Sequence, residues 1–216
     1  MINKQTNKFK SIRRKIKKFF RREIFLKNKN FCIISNNCFG GSVYQYFDLP
    51  YNSPTIGLYF FPEDYIKFLK NLKYYLSLEL KFIPNIKSKN YNFLTEESRK
   101  CPIGVLDDIE VIFLHYKTEK EAFEKWNRRK KRMNWDNLIV KFNDQNNTTL
   151  KDIREFDKLP YENKLCFVAN PIDGVKSIIE FKEDNGKDYV LNDASVNKCK
   201  KYINIIEYLN KIGNKK

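Results

Sequence analysis

Cys38 and His115 are the residues of this chain whose types best suit nucleophilic chemistry. Cys38 lies in Phe31-Cys-Ile-Ile-Ser-Asn-Asn-Cys-Phe-Gly-Gly41, where β-prone residues run into Ser35, Asn36, Asn37, the thiol and a glycine pair. The next residues, Ser42-Val-Tyr-Gln-Tyr-Phe47, suit a helix. The thiol is therefore expected at a helix start, where the dipole and a neighbouring base lower its pKa. The N–H groups of Gly40 and Gly41 would hold a developing oxyanion. His115, the one histidine, follows the apolar run Val111-Ile-Phe-Leu114 and is the candidate acid or base. The plainer alternatives are a small buried cysteine beside a glycine turn and a half-buried histidine donating to a carbonyl.

Strand ends must bring such residues together. The hydropathy pattern predicts strands over 31–35, 55–60, 78–83, 102–106, 109–115, 138–142 and 164–169. Helices are predicted over 62–76, 119–133, 150–158 and 196–212, with a polar irregular excursion at 84–100. Strands alternating with helices at this pitch place the chain in the α/β class, as a three-layer fold with a mainly parallel sheet flanked by helices. In such a sheet the C-terminal strand ends share one edge, where ligands bind. Reading past each strand gives Ser35, Asn36, Asn37 and Cys38, then His115, then Asn143 and Asp144, then Asn170. The helix over 119–133 carries Trp126-Asn-Arg-Arg-Lys-Lys-Arg-Met133, from which Arg128 and Arg129 are candidates to clamp a pyrophosphate or carboxylate. A merely solvated cationic face is the alternative. Asp107 and Asp108, before the strand over 109–115, fit a β-turn.

Composition bounds the rest. The 216 residues, 42% hydrophobic, suffice for one sizeable α/β domain, expected over 31–216, behind a leader over 1–30. That leader holds twelve Lys/Arg against Glu23 alone, so it carries +11 of the chain's +16. Apolar residues at Phe9, Ile12, Ile16, Phe19, Phe20, Ile24 and Phe25 recur at helical spacing, which predicts a basic amphipathic helix. Residues 9–25 would then lie on an anionic membrane surface. Phosphate neutralisation on nucleic acid and packing on the protein's own body are the competing readings, nucleic acid being the least supported for want of a recognition motif. Five cysteines without a C-x-x-C pair, and a single histidine, argue for reduced thiols and against a zinc site. No run is long and apolar enough to span a bilayer, and no secretory signal is evident. A cytoplasmic protein, peripheral at the inner face of the membrane, is expected.

Several segments in fixed order go beyond pattern. They are Ile34-Ser-Asn-Asn-Cys-x-Gly-Gly41, Tyr51-Asn-Ser-Pro-Thr-Ile-Gly57, Pro62-Glu-Asp-Tyr-Ile-Lys-Phe68, Pro102-Ile-Gly-x-Leu-x-Asp-Ile-Glu110, Phe113-Leu-His-Tyr116, Glu124-Lys-Trp-x-Arg-Arg129, Asn134-Trp-Asp-Asn137 and Phe156-Asp-x-Leu-Pro-Tyr161. Over about residues 30–182 the chain resembles a bacterial family catalogued as domain of unknown function 1919, whose members are often labelled exopolysaccharide or capsule biosynthesis proteins. The resemblance implies an α/β domain and assigns no catalytic role to any residue.

Together these readings predict a membrane-peripheral transferase acting on a polysaccharide precursor by acyl-type transfer. Cys38 would attack, His115 would act as base, and Asn36 or Asn37 would position the acceptor. Ser35, Gly40, Gly41, Arg128, Arg129, Asp144 and Asn170 complete the expected substrate site. The alternatives are glycosyl transfer from a sugar nucleotide and a non-catalytic protein that binds a glycan or an assembly partner. No cofactor and no metal site is identified from the residues.

Overall fold

The computed structural model describes residues 2–212, with side chains from Ser11 onward. Helix α1 (Ile2–Phe20) leads into one wide π-turn, Arg21–Phe25. Then follow β1 (Cys32–Ser35), α2 (Phe39–Phe47), α3 (Pro62–Lys70), α4 (Leu72–Ser77), β2 (Lys81–Ile83), β3 (Ile103–Leu106) and β4 (Ile109–Ile112). The second half comprises α5 (Glu119–Lys130), β5 (Leu138–Asn143), α6 (Leu150–Lys158), β6 (Lys164–Val168), β7 (Ile178–Glu180), α7 (Val196–Cys199) and α8 (Ile205–Ile212).

The strands form two sheets. One is wholly parallel, in the order β1-β5-β6-β7; the other is antiparallel, in the order β2-β3-β4. Alternation along the parallel strands builds the three layers, because successive side chains point to opposite faces. Ile34, Val140, Phe142, Cys166 and Val168 pack on one face with α3, α4 and α6. Ile33, Ile139, Leu165 and Phe167 pack on the other with α2, α7 and α8.

The α/β class and flanking helices are as the sequence predicts, but several elements differ. The strand expected over 109–115 ends at Ile112 and belongs to the antiparallel sheet, paired with β3 through a hairpin whose tip is Asp107-Asp108. Asp107 takes φ +56° there, a conformation Asp tolerates. The segment over 55–60 forms no named strand and makes a single bridge, Tyr59 to Ile112. It nevertheless ties the sheets together, since the Phe60 N–H donates to the Asn36 carbonyl. The helix expected over 62–76 breaks at Asn71, and that over 196–212 breaks after Cys199.

Helix starts follow local chemistry. Thr149 and Asp152 close a capping box on α6. Thr118 accepts from the Glu121 N–H at the start of α5, while the Glu121 carboxylate takes the Lys117 N–H.

Candidate functional site

At the end of β1 the chain turns through Ser35, Asn36 and Asn37 into α2, with Cys38 as the residue preceding the helix. The turn is closed from within. Ser35 Oγ donates to the Asn37 carbonyl (2.7 Å) and accepts the Gly40 N–H (3.2 Å), and Asn37 Oδ1 accepts the Phe39 N–H (3.1 Å). The Gly40 N–H is therefore committed and does not serve as an oxyanion donor, contrary to expectation. Gly41 faces a cavity of about 370 Å³.

That cavity is where four of the predicted residues meet. Cys38, Gly41, His115 and Arg129 all line it, with Gln45, Tyr51, Tyr116 and Lys125 completing the polar wall. His115 arrives by a route the pattern does not show: it is exposed in the turn after β4, and its N–H donates to the Gly57 carbonyl (2.9 Å). Gly57 takes φ +73°, and a β-carbon there would lie 3.3 Å from His115 Cβ. The positive φ and the close approach both favour glycine where the two segments close on one another.

Arg129 forms the cavity's charged wall. Its guanidinium is buried, stacks 4.8 Å from the Tyr51 ring centroid, and donates through Nη1 to the Ile56 carbonyl (3.2 Å) and to the Tyr116 hydroxyl. Among the described residues no carboxylate pairs with it, although Lys125 on the same helix pairs with Glu121. A buried cation without a counter-ion is costly, and the planar fork favours a carboxylate or phosphate. Arg128, the other candidate, is exposed and does not line the cavity, because one helical residue of rotation turns it to solvent.

Cys38 is partly buried, and that burial pushes its thiol up to about 11, although nearby Lys141 acts in the opposite direction. The expected lowering at the helix start is thus corrected: desolvation outweighs the nearby positive charge. The thiol rests protonated at neutral pH.

The remaining candidates are structural in their contacts. Asn36 and Asn37 are buried in a network around Lys141, whose ammonium donates to Asn37 Oδ1 (3.1 Å), to Asn36 Oδ1 (3.4 Å) and to Asp193 Oδ2. Asn37 Nδ2 reaches both Asp193 oxygens, and Asn143 Nδ2 reaches Oδ2 (2.8 Å). The network fills the strand edge where a ligand is expected, and these asparagines do not line the cavity. Asp144 accepts the N–H groups of Ala169 (2.7 Å) and Val190 (2.8 Å), and Asn170 accepts that of Gly186 (2.8 Å). Both pin loops. Hydropathy and motif spacing do not mark Lys141 or Asp193. A lysine inside Leu138-Ile-Val-Lys-Phe-Asn143 was the available signal, since a central parallel strand otherwise reads as apolar. Among the described residues no group of three or more His, Cys, Asp or Glu is placed to hold a metal ion.

Comparison with known proteins agrees with the residues that carry the resemblance. The profile of a family described as Domain of unknown function (DUF1919) matches residues 8–212. The match extends beyond the expected 30–182 at both ends and takes in most of the basic leader. An uncharacterized protein of Haemophilus influenzae (strain Rd) is 36% identical over 179 residues, covering 76% of this chain and 81% of the relative.

Proposed function

Because the chain belongs to the DUF1919 family, whose description names no reaction, we propose from the cavity that it is a group-transfer enzyme acting on an anionic substrate, and from the family resemblance that this substrate is a precursor of a surface polysaccharide. The observation that carries this reading is the meeting of Cys38, His115 and the counter-ion-free Arg129 in one cavity. The polysaccharide assignment rests on the labels that family members often carry.

In the acyl-transfer form, Cys38 Sγ attacks the carbonyl of an activated acyl donor while His115 takes the thiol proton. The donor's leaving group departs with that proton and a thioester remains on Cys38. An acceptor hydroxyl then attacks the thioester, His115 takes its proton, and the thiol is restored. Arg129 holds the anionic group of the precursor, and the N–H of Gly41, a residue of the cavity lining, is the first-turn donor for the developing oxyanion. General-base help of this kind is worth about a hundredfold or more in rate. A resting thiol with a raised pKa makes the base essential.

The test is iodoacetamide alkylation of the purified chain, followed by mass spectrometry at neutral pH. Cys38 is the one cysteine that is not buried. His115→Gln is expected to slow its alkylation by about tenfold or more, and an unchanged rate removes His115 as its base. In cells, Cys38→Ser is expected to abolish polysaccharide output while the protein stays folded.

The buried Arg129 guanidinium on the cavity wall favours a second reading, glycosyl transfer from a sugar nucleotide. Here Arg129 holds the diphosphate, a base such as His115 suits the acceptor, and Cys38 is only wall. Under this reading Cys38→Ala retains output while Arg129→Gln and His115→Gln lose it. Retention by all three variants would leave only a binding protein.

A further inference from the structure

The leader meets the rest of the molecule through its cations. Lys18 pairs with Asp48 (3.5 Å), and Arg22 Nη1 donates to the Asp48 carbonyl (3.0 Å). The Arg21 guanidinium stacks 3.9 Å from the Tyr46 ring centroid. Behind the π-turn the chain is fixed: Leu26 is buried, and Asn210 of α8 accepts the Lys27 N–H (2.7 Å) and donates to the Phe25 carbonyl (2.9 Å).

The apolar stripe is left outside. Ile12, Ile16, Phe19, Phe20, Ile24 and Phe25 are each 44–56% exposed. Such a stripe exceeds the scattered single apolar residues of an ordinary surface. Arg13, Arg14, Lys15 and Lys17 flank it, also exposed. Packing on the protein's own body therefore does not account for this stripe, because the body meets the leader through Lys18, Arg21 and Arg22. No described helix is long and apolar enough to cross a membrane.

We infer that the stripe from Ile12 to Phe25 is a docking surface for an anionic lipid bilayer, with α1 lying in the plane of the headgroups. Phe and Ile enter the acyl boundary, and the flanking cations meet lipid phosphates. The charge of the leader selects this occupant over a second copy of the chain, whose own leader is equally cationic. The contact also has a consequence for the cavity. Asp48, which receives the leader, caps the C-terminal end of α2, and Cys38 precedes its N-terminal end. A helix of nine residues is about 13 Å long, so the cavity lies one short helix away from the docked leader. A substrate anchored in the same bilayer by a lipid tail could present its headgroup there. The docking claim does not depend on which reaction the cavity performs.

The experiment is co-flotation of the full chain with vesicles of phosphatidylcholine alone and of phosphatidylcholine mixed with phosphatidylglycerol, at low and high salt. Wild type is expected to float with the mixed vesicles and to bind about tenfold or more weakly to the neutral ones. Ile16→Glu/Phe19→Glu is expected to abolish flotation, and Arg13→Gln/Arg14→Gln/Lys17→Gln to weaken it about a hundredfold. Each variant keeps wild-type circular dichroism and melting temperature, because the altered side chains are exposed. Failure of wild type to float overturns the inference, as does equal binding to both vesicles. A dimer that Ile16→Glu/Phe19→Glu dissolves, seen by light scattering in place of flotation, also overturns it.

Discussion

Lys141 and Asp193 form an ion pair sealed from solvent, their side chains 0% and 1% exposed, between a central strand and a loop fifty-two residues further on. The rings of Phe39 and Phe167 stand 5.9 and 5.2 Å from the ammonium, so its polar surroundings come entirely from Asp193 and the asparagines. Removing one partner leaves an uncompensated charge. Asp193→Ala is expected to cost about 3–5 kcal/mol, measured by urea denaturation. Replacing both partners by apolar residues, Lys141→Met with Asp193→Leu, is expected to cost less than the single change. A double variant weaker than Asp193→Ala would refute this account of the network.

Arg129 and Arg128 are adjacent in sequence yet differ in burial and partners. Titration calorimetry with inorganic pyrophosphate should separate them. Arg129→Gln is expected to lose about 1.5–3 kcal/mol of binding, the range for charged hydrogen bonds. Arg128→Gln should leave binding unchanged. Arg129→Lys should not rescue it, since an ammonium cannot reproduce the fork or the stacking on Tyr51. Equal effects at both positions would remove Arg129 as the anion site.

The thiols make stability sensitive to alkali. Burial raises Cys38 from 9.0 to about 11, and Cys32 and Cys199 to about 12. Each folded pKa lies above its unfolded value, so the contribution is fully present below about pH 9 and is lost as pH rises through 11 to 12. Denaturant midpoints should fall across that window. Cys38→Ser should flatten the first part of the fall, and an unchanged profile would contradict the burial of this thiol.

Gly57 holds the His115 turn against the segment beside β1. Its φ of +73° strains any side chain, and a methyl group there would press within 3.3 Å of His115 Cβ and Tyr116 Cε2, which would have to give way. Gly57→Ala is expected to cost about 1–2 kcal/mol in thermal denaturation, and to displace the His115 ring resonances in NMR spectra. Wild-type stability would show that the turn relaxes freely.

What the sequence determined by itself is whatever repeats over short spans. Period-two and period-3.6 hydropathy located β1, β5, β6, α5 and α6 closely, and spacing alone lists the stripe residues from Ile12 to Phe25, while the Phe9 side chain lies outside the described residues. The break at Ser35 to Gly41 was legible too, because small polar residues and glycines interrupt a strand locally. The tertiary structure decided which distant pieces meet. It carried His115 to the Cys38 cavity through a hairpin of the antiparallel sheet, chose Arg129 over Arg128 by helical phase, and filled the strand edge with Lys141 and Asp193. It also set Lys18, Arg21 and Arg22 against the body and left the apolar stripe outside, the reverse of a helix held by its own core. Local propensity cannot report these outcomes, because each depends on the fit of side chains tens of residues apart, such as Asn36 with Asn143 across 107 positions. Their energy exists only once the intervening chain has folded.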